Sequence, residues 1–274
     1  MKSVRPLLKW AGGKRSLVER ILGLFPEDHG SRAFHEPFFG GGAVFFRLEP
    51  EAGSINDVNA RLMNFYRIVR DSPDELVEAA KEYVYDEEVY YRLRDRFNQR
   101  PSDPVLDAAL FLYLNKTGYN GLYRVNSRGE FNVPFGRYVD PTIVHPRMIR
   151  RASRILRGID LRCGDFTYLK DCASPGDVCY LDPPYQPASK TAHFVDYSAG
   201  GFGEEDQTRL RDLCVELDGM GVHLVQSNSD TELIRGLYAD TGFTLMSLCT
   251  NRMISSKVSS RGSGYDLLIT NSAS

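Results

Sequence analysis

Two consecutive prolines, Pro183 and Pro184, directly follow the apolar run Val178–Leu181 in this chain. The run is typical of a short buried strand, and proline has no N–H with which to continue a ladder of hydrogen bonds. The strand must therefore end at Asp182, which places this carboxylate and the Tyr185 ring near the carboxyl end of a strand. Open α/β sheets bind their ligands at that end.

The segment Asp182-Pro183-Pro184-Tyr185 has the chemistry to bind an amino group on an aromatic heterocycle. Because proline fixes φ, the Pro183 carbonyl points in a set direction and joins the Asp182 carboxylate as a second acceptor for one NH2 group. The Tyr185 ring offers a flat face on which a planar ligand can stack. An ordinary strand-ending turn would have the same four residues, so the remainder of the chain has to decide between the two interpretations.

The composition excludes several classes of protein. The 274 residues are 42% hydrophobic and 26% charged, which is typical of a globular protein. No run has the length of a transmembrane helix, and the N-terminus lacks the apolar core of a signal peptide. The five cysteines form no Cys-x-x-Cys pair, which argues against a disulfide framework and a zinc site. We expect a cytoplasmic monomer, with no membrane and no metal among its partners.

A glycine-rich segment near the N-terminus is typical of the start of a nucleotide-binding βαβ unit. Gly40-Gly41-Gly42 follows a short strand, and the absence of side chains lets a cofactor lie against the backbone. A second strand, Gly53–Asn56, ends at Asp57, where an acid is placed to hold ribose hydroxyls. Helix capping is the alternative role for this acid. Upstream, Trp10 and Lys14 add an aromatic face and a cation.

The α/β alternation is then interrupted by helical patterns, at residues 74–82, 88–96 and 103–114. We therefore predict a catalytic domain of residues 1–57 and 145–274, interrupted by a target-recognition subdomain at residues 58–144. Two alternating stretches within it flank Ser127-Arg128-Gly129-Glu130, so a β-hairpin is expected near residues 119–136.

The region from residue 111 to residue 157 is strongly basic. It has nine basic residues against two acidic ones, a net charge of +7 in a chain whose net charge is −2. Such a concentration indicates a polyanion surface. A hairpin carrying Arg124 has the size and chemistry to enter a major groove, and Tyr119 is placed to wedge into a base stack. The arginine-rich helix expected at residues 146–157 has a solvated surface as its alternative role.

Later segments complete the α/β pattern. The strand that begins at Ile159 leads to Asp165-Phe166, which is suited to pair with and pack on a cofactor ring. Residues 186–203 are polar and contain glycine and serine, which is typical of a lid beside a site. Asp230 is expected to cap a helix that runs to Tyr238.

Together these motifs resemble the Dam-type DNA adenine-N6 methyltransferases, a family of Asp-Pro-Pro-Tyr amino methyltransferases. The resemblance covers essentially the whole chain, and the hairpin discriminates best, because Asp-Pro-Pro-Tyr also occurs in other amino methyltransferases. The matching motifs occur in the family's order: Leu8-Lys9-Trp10-Ala11-Gly12-Gly13-Lys14, Glu36-Pro37-Phe38-Phe39-Gly40-Gly41-Gly42, Asp57, the hairpin from Tyr119 to Tyr138, and Asp182-Pro183-Pro184-Tyr185.

The resemblance implies a Rossmann-like S-adenosylmethionine-dependent methyltransferase sheet with an inserted helical subdomain that carries the hairpin. It implies direct methyl transfer from S-adenosylmethionine to N6 of an adenine that is flipped out of duplex DNA. The catalytic residues would be Asp182, Pro183, Pro184 and Tyr185. The cofactor would be bound by Trp10, Lys14, Pro37, Phe38, Gly40, Gly42, Asp57, Asp165, Phe166 and Asp182.

The resemblance also implies that the target is the adenine of GATC. The residues in contact with DNA would be Lys9, Tyr119, Asn120, Leu122, Arg124, Asn126, Pro134 and Arg137. Among them, Lys9 matches the position that reads the outer guanine, and Arg124 is the arginine best placed to bind a guanine edge. Thr117 and Tyr123 depart from the family pattern, but they lie between these positions.

Two other classes of function remain open on the sequence. A methyltransferase acting on RNA or on a protein glutamine amide would use a similar tetrapeptide, although the glutamine enzymes usually have Asn where this chain has Asp182. A DNA-binding module without catalysis is the second alternative, and the intact cofactor motifs argue against it. A solitary enzyme, the partner of a restriction endonuclease and a phage-borne enzyme all fit the resemblance.

Overall fold

The computed structural model describes residues 5–186, 201–251 and 263–272. The chain divides into two compact units. The first unit comprises the described residues up to Leu22 together with Phe38–Phe166, and the second comprises Gly23–Pro37 and the described residues from Thr167 onward. Strands and helices occur in both units, which confirms the expected α/β fold class. The predicted division into a catalytic domain and an insertion stays a prediction.

The first unit contains two strands and seven α-helices among its described residues, with a short 3-10 helix at Tyr119–Gly121. The strands are β2 (Gly53–Asn56) and β3 (Ile159–Arg162), which pair in parallel. The helices are α1 (Val18–Leu22), α2 (Phe45–Leu48), α3 (Ala60–Asp71), α4 (Pro73–Lys81), α5 (Glu87–Asn98), α6 (Pro104–Thr117) and α7 (Pro146–Leu156).

The helices of the first unit begin where the sequence supplies capping residues. The side chain of Asn59 accepts from the N–H groups of Arg61 and Leu62 at the start of α3. Asp103 caps α6 in the same way, and Pro104 occupies its first turn, where a missing N–H costs nothing. Helix α6 is buried along most of its length, and it packs against α3, α4 and α5. It is therefore the central helix of this unit.

The predicted hairpin is present, but it does not form two continuous strands. Within the described hairpin, the backbone pairing consists of isolated antiparallel bridges, between Val125 and Phe131 and between Gly118 and Phe135. Side chains from the helices complete the pairing. Asn98 of α5 accepts from the N–H of Phe131 and donates to its carbonyl.

The second unit contains five strands in the order β1 (Phe34–Glu36), β4 (Val178–Leu181), β5 (His223–Ser229), β7 (Ser263–Thr270) and β6 (Thr244–Asn251). The first three are parallel, and β7 is antiparallel to both of its neighbours. The described helices of this unit are α8 (Leu169–Cys172), α9 (Glu204–Gly219) and α10 (Glu232–Tyr238).

Three expectations about local structure need correction or comment. The amphipathic pattern of residues 16–24 predicts a helix over that range, but the helix is shorter, since α1 begins at Val18 and ends at Leu22. The predicted cap at Asp230 was wrong: Thr231 caps α10 by accepting from the N–H of Ile234, and Asp230 instead forms an ion pair with Arg235. Most of the segment predicted to be a lid, residues 187–200, lies outside the described residues.

Candidate active site and nucleic-acid interface

The Asp182-Pro183-Pro184-Tyr185 segment lies directly after a fully buried strand, as expected from the two prolines. All four residues of β4 are buried, whereas the Asp182 side chain is half-buried. In the β4–β5 register Leu181 is opposite Gln226, so the next residues, Asp182 and Ser227, are neighbours. The Ser227 hydroxyl donates to Oδ1 of Asp182 across 2.6 Å. The carboxylate is therefore held by a side chain from the neighbouring strand.

A second set of buried polar side chains holds the backbone after Asp182. Gln207 of α9 donates from Nε2 to the Pro184 carbonyl at 3.0 Å. The Asn228 amide donates to Oε1 of Gln207 at 2.9 Å, and its Oδ1 accepts from the N–H of Gln186 at 3.3 Å. Gln207 and Asn228 are both buried. The backbone after Asp182 is thus held at the Pro184 carbonyl and at the Gln186 N–H. The Pro184 carbonyl already accepts a hydrogen bond from Gln207.

In the first unit, the carboxylate of Asp57 is hydrogen-bonded to the glycine turn, Gly40-Gly41-Gly42. Its Oδ2 accepts from the N–H of Gly40 at 3.0 Å, and its Oδ1 accepts from the N–H of Asn59 at 2.9 Å. Burial raises the pKa of Asp57, and the two N–H groups act in the opposite direction. Each carboxylate oxygen retains a second lone pair, so the geometry is compatible with hydroxyl donors from a ribose.

Trp10 contacts both the glycine turn and the helical part of the first unit. Its ring stacks on Phe111 of α6 and on Tyr123, with centroids 6.5 and 6.0 Å away. Gly40 has a φ of +50°, and a Cβ at this position would lie 2.6 Å from the Trp10 ring. Glycine is therefore required at position 40 both by the left-handed backbone and by the tryptophan.

The other residues expected at the cofactor site occupy different environments. Phe38 and Phe166 pack together with ring centroids 5.4 Å apart. Asp165 is exposed beside them. Lys14 is buried and donates to the Gly12 carbonyl at 2.7 Å. Gly42 has a left-handed φ of +64°. Pro37, like Asp182, belongs to the second unit.

The residues that precede the hairpin are held around one buried amide, that of Asn115. Its Oδ1 accepts from the N–H of Lys9, and its Nδ2 donates to the carbonyls of Lys9 and Gly121 at 2.7 and 3.1 Å. This amide therefore fixes the segment that contains Lys9 against the start of the hairpin. The Lys9 ammonium lies over the Tyr138 ring, 3.6 Å from its centroid.

The hairpin residues that are expected to contact DNA are exposed or half-buried. Tyr119 is 51% exposed, and its N–H donates to the carbonyl of Pro134, which is exposed as well. Asn120 has a φ of +54°. Leu122 is half-buried, and Arg137 is exposed.

Two of the expected DNA-binding side chains already have partners within the hairpin. Arg124 donates from Nε to Oδ1 of Asn132 at 2.7 Å, which orients its guanidinium. Asn126 accepts from the N–H groups of Arg128 and Glu130, so its carboxamide closes the turn. Its part in DNA contact stays a prediction.

The arginine-rich helix α7 is less free than its sequence suggests. Arg150 forms an ion pair with Asp74, and Arg151 binds Glu49 through two hydrogen bonds. These pairs consume part of the positive charge that we counted between residues 111 and 157. The hairpin is consequently the stronger candidate for contact with a polyanion.

The sequence analysis did not identify the buried polar residues that hold the expected site residues in place through hydrogen bonds. These residues are Ser227, Asn228, Gln207 and Asn115. All four are buried and polar, and most buried polar groups are hydrogen-bonded. A signal was available in the run Gln226-Ser227-Asn228-Ser229, because four consecutive polar residues are unusual in a buried strand.

The described part of the chain contains neither a candidate metal site nor a membrane helix. Within residues 5–186, 201–251 and 263–272, no group of three or more His, Cys, Asp or Glu side chains is arranged to hold a metal ion. None of the helices in these ranges has the length and hydropathy needed to cross a membrane.

Comparison with known proteins identifies the family. The model of the D12 class N6 adenine-specific DNA methyltransferases matches residues 10–254. The type II methyltransferase M1.LlaDCHI of Lactococcus lactis subsp. cremoris is 41% identical, over 98% of this chain and 96% of its own. The type II methyltransferase M.MjaIII of Methanocaldococcus jannaschii is 39% identical, over 98% and 99%. The DNA adenine methylase of Escherichia coli K12 is 39% identical, over 87% and 85%.

These matches confirm the resemblance to DNA adenine-N6 methyltransferases. They decide against a methyltransferase that acts on RNA or on a protein glutamine amide, and against a DNA-binding module without catalysis. A methyltransferase of this family implies S-adenosylmethionine as methyl donor and DNA as substrate. The chain is an adenine-specific DNA methyltransferase and belongs to the D12 class of N6 adenine-specific enzymes.

Proposed function

We propose that this enzyme transfers a methyl group from S-adenosylmethionine to N6 of the adenine in duplex GATC, after that adenine has been flipped out of the helix. The observation that supports this proposal best is the half-buried Asp182 carboxylate at the end of β4, held by Ser227. A base inside a duplex is stacked and paired, so its amino group must leave the helix to reach such an acceptor.

Most of the residues that fit an adenosyl cofactor belong to the first unit. The N–H of Gly40 holds the Asp57 carboxylate, which can accept from ribose hydroxyls, and Phe38 and Phe166 form an aromatic pair. We propose that the cofactor is bound by Trp10, Lys14, Pro37, Phe38, Gly40, Gly42, Asp57, Asp165, Phe166 and Asp182. When bound, S-adenosylmethionine supplies an electrophilic methyl group on a sulfonium.

The second unit has the acceptors for the target base. Asp182 and the Pro183 carbonyl accept from the two hydrogens of the adenine amino group, and the Tyr185 ring stacks on the base. Both acceptors are positioned before the base arrives, because Ser227 holds the carboxylate and Gln207 holds the following Pro184 carbonyl. Preorganised acceptors of this kind lower the barrier without reorganising during the reaction.

The hairpin supplies the contacts proposed to select GATC. Asn132 orients Arg124, so the remaining N–H groups of the guanidinium are directed before DNA binds. A guanine presents two acceptors, O6 and N7, to such a fork. The other contacts are assigned to Lys9, Tyr119, Asn120, Leu122, Asn126, Pro134 and Arg137.

The experiment measures transfer of a labelled methyl group to a duplex that contains GATC and to every single-base variant of that site. We expect transfer to GATC to exceed transfer to each variant by about 5-fold to 150-fold, since a wrong base pair costs about 1–3 kcal/mol. Equal labelling of all duplexes, or a preference for another tetranucleotide, would disprove the GATC assignment and leave the adenine methyltransferase assignment intact.

Replacing Arg124 by alanine is expected to relax discrimination at one base pair of the site, by about 1–3 kcal/mol. The matched control is Arg128→Ala, because Arg128 is exposed on the same hairpin and pairs with Glu130. Competition between the GATC duplex and its variants is the measurement. If both alanine variants kept the discrimination of the parent enzyme, Arg124 would not read a base.

The affinity for DNA is expected to fall as the pH rises from 7 to 9. Burial, with the nearby charges of Lys9 and Arg15, lowers the pKa of Lys116 to about 8. Lys116 is charged below this pKa and neutral above it, and only the charged form attracts a phosphate. Dissociation constants measured across this pH range test the prediction. In Lys116→Arg, the cation persists throughout this pH range, so the loss of affinity for DNA should be smaller. An equal loss of affinity in this variant would show that another group causes the pH dependence.

A further inference from the structure

The hydrogen bond between Ser227 and Asp182 belongs to a longer series of hydrogen bonds. Tyr180, two residues before Asp182 on β4, places its hydroxyl 2.9 Å from the Ser227 hydroxyl. Ser227 in turn lies 2.6 Å from Oδ1 of Asp182. The Ser227 and Tyr180 side chains are almost completely buried, at 0% and 1% exposure. The two hydroxyls are therefore shielded from solvent, whereas the Asp182 carboxylate that accepts from Ser227 is half-buried.

The chemistry of the three groups sets the direction of the hydrogen bonds. An ionised carboxylate only accepts, so the single hydroxyl hydrogen of Ser227 must point at Asp182. The Ser227 oxygen then has only lone pairs left for Tyr180, which must be the donor. Burial and the neighbouring charge of Asp182 raise the pKa of the Tyr180 phenol well above its usual value, so it retains this hydrogen.

We propose that Ser227 and Tyr180 are positioning residues that fix the orientation of the Asp182 carboxylate toward the amino group of the target adenine. Ser227 stops rotation of the carboxylate, and the Tyr180 hydroxyl stops rotation of the Ser227 hydroxyl. Bonds in such a chain polarise one another, which strengthens the bond to the carboxylate. The proposal rests on the proposed role of Asp182 as an acceptor for that amino group.

The test compares Ser227→Ala and Tyr180→Phe with a matched control, Tyr238→Phe. Tyr238 is another buried tyrosine, and its hydroxyl donates to Gln226, the residue that precedes Ser227 on β5. Each tyrosine variant removes one buried hydroxyl that is hydrogen-bonded to a side chain of β5. Single-turnover methyl transfer, the Kd for S-adenosylmethionine and the thermal midpoint are measured for all three variants.

We expect Ser227→Ala to slow single-turnover transfer by about 10-fold to 100-fold, the usual range for a hydrogen bond to a charged group. Tyr180→Phe should slow it by about 3-fold to 10-fold, because its effect passes through Ser227. Tyr238→Phe should keep the parent rate even if its thermal midpoint falls. The Kd for S-adenosylmethionine should be unchanged in Tyr238→Phe and should change less than the rate in the other two variants, because Asp182 is only one of the residues proposed to bind the cofactor.

A binding measurement separates positioning from a general loss of packing. The parent enzyme should bind a duplex with adenine at the target position more tightly than one with purine, which has no amino group. Ser227→Ala should reduce this preference, and Tyr238→Phe should retain it. A parent-like rate and preference in Ser227→Ala would overturn the proposal, as would an equal loss of rate in Tyr180→Phe and Tyr238→Phe.

The Asp182→Ala variant distinguishes the two possible failures. If Asp182→Ala loses transfer while Ser227→Ala and Tyr180→Phe do not, the positioning role fails and the acceptor role stands. If Asp182→Ala itself retains the parent rate, the proposed role of Asp182 fails, and the positioning role fails with it.

Discussion

Replacing Asp182 by alanine is expected to slow methyl transfer by about 100-fold or more, as removal of one preorganised polar group does in other enzymes. The variant loses the carboxylate that is proposed to accept from the target amino group, while β4 before it remains buried and paired. Single-turnover transfer of a labelled methyl group to duplex DNA is the measurement. The Kd for DNA should change much less than the rate, because the contacts with the duplex are proposed for other residues.

The matched control for this prediction is Asp177→Ala, at the opposite end of the same strand. Asp177 pairs with His35 and accepts from the N–H of Ser174, so its loss should lower stability but leave the rate of transfer unchanged. A folded Asp182→Ala variant with near-normal turnover would remove this carboxylate from the mechanism.

Replacing Gly40 by alanine is expected to lower the free energy of unfolding by about 2–4 kcal/mol, since strain and overpacking add. The backbone at Gly40 has a φ of +50°, and the new Cβ would lie 2.6 Å from the Trp10 ring. Trp10 or the turn must shift, which also disturbs the N–H that Gly40 donates to Asp57. Affinity for S-adenosylmethionine should therefore fall together with stability. Denaturant unfolding and titration calorimetry measure the two effects.

Gly164→Ala provides the comparison, because Gly164 lies just before Asp165 and a Cβ there would meet nothing within 4 Å. This substitution should change the free energy of unfolding by less than about 0.5 kcal/mol. If the two alanine variants were equally stable and bound the cofactor equally well, the contact between Trp10 and the glycine turn would not matter for the site.

The strand before Asp182 was predictable, because two prolines end a strand whatever surrounds it. The helices α3 to α7 were predictable for a similar reason, since apolar spacing and capping residues are local signals. Asp230 shows how such local signals fail. Asp230 and Thr231 are both acceptable caps, and the ion pair with Arg235 leaves Thr231 at the cap position.

The support of the Asp182 side chain could not be predicted, because it depends on strand pairing across distant parts of the chain. Ser227 is 45 residues away from Asp182 along the chain, and only the β4–β5 register brings them together. The hairpin differed from expectation for a related reason. Its residues alternate as strands do, but Asn98 and Tyr90 of α5 bind the backbone groups of Phe131 and Val133 that a partner strand would otherwise use.

That arrangement of the hairpin has an evolutionary consequence. The shape of the loop depends on helix side chains at its back, whereas the residues proposed to touch DNA, such as Tyr119 and Arg124, lie at its front. Substitutions at the front can therefore accumulate without unfolding the loop. A lineage with this architecture can drift from one target sequence toward another while its scaffold remains intact.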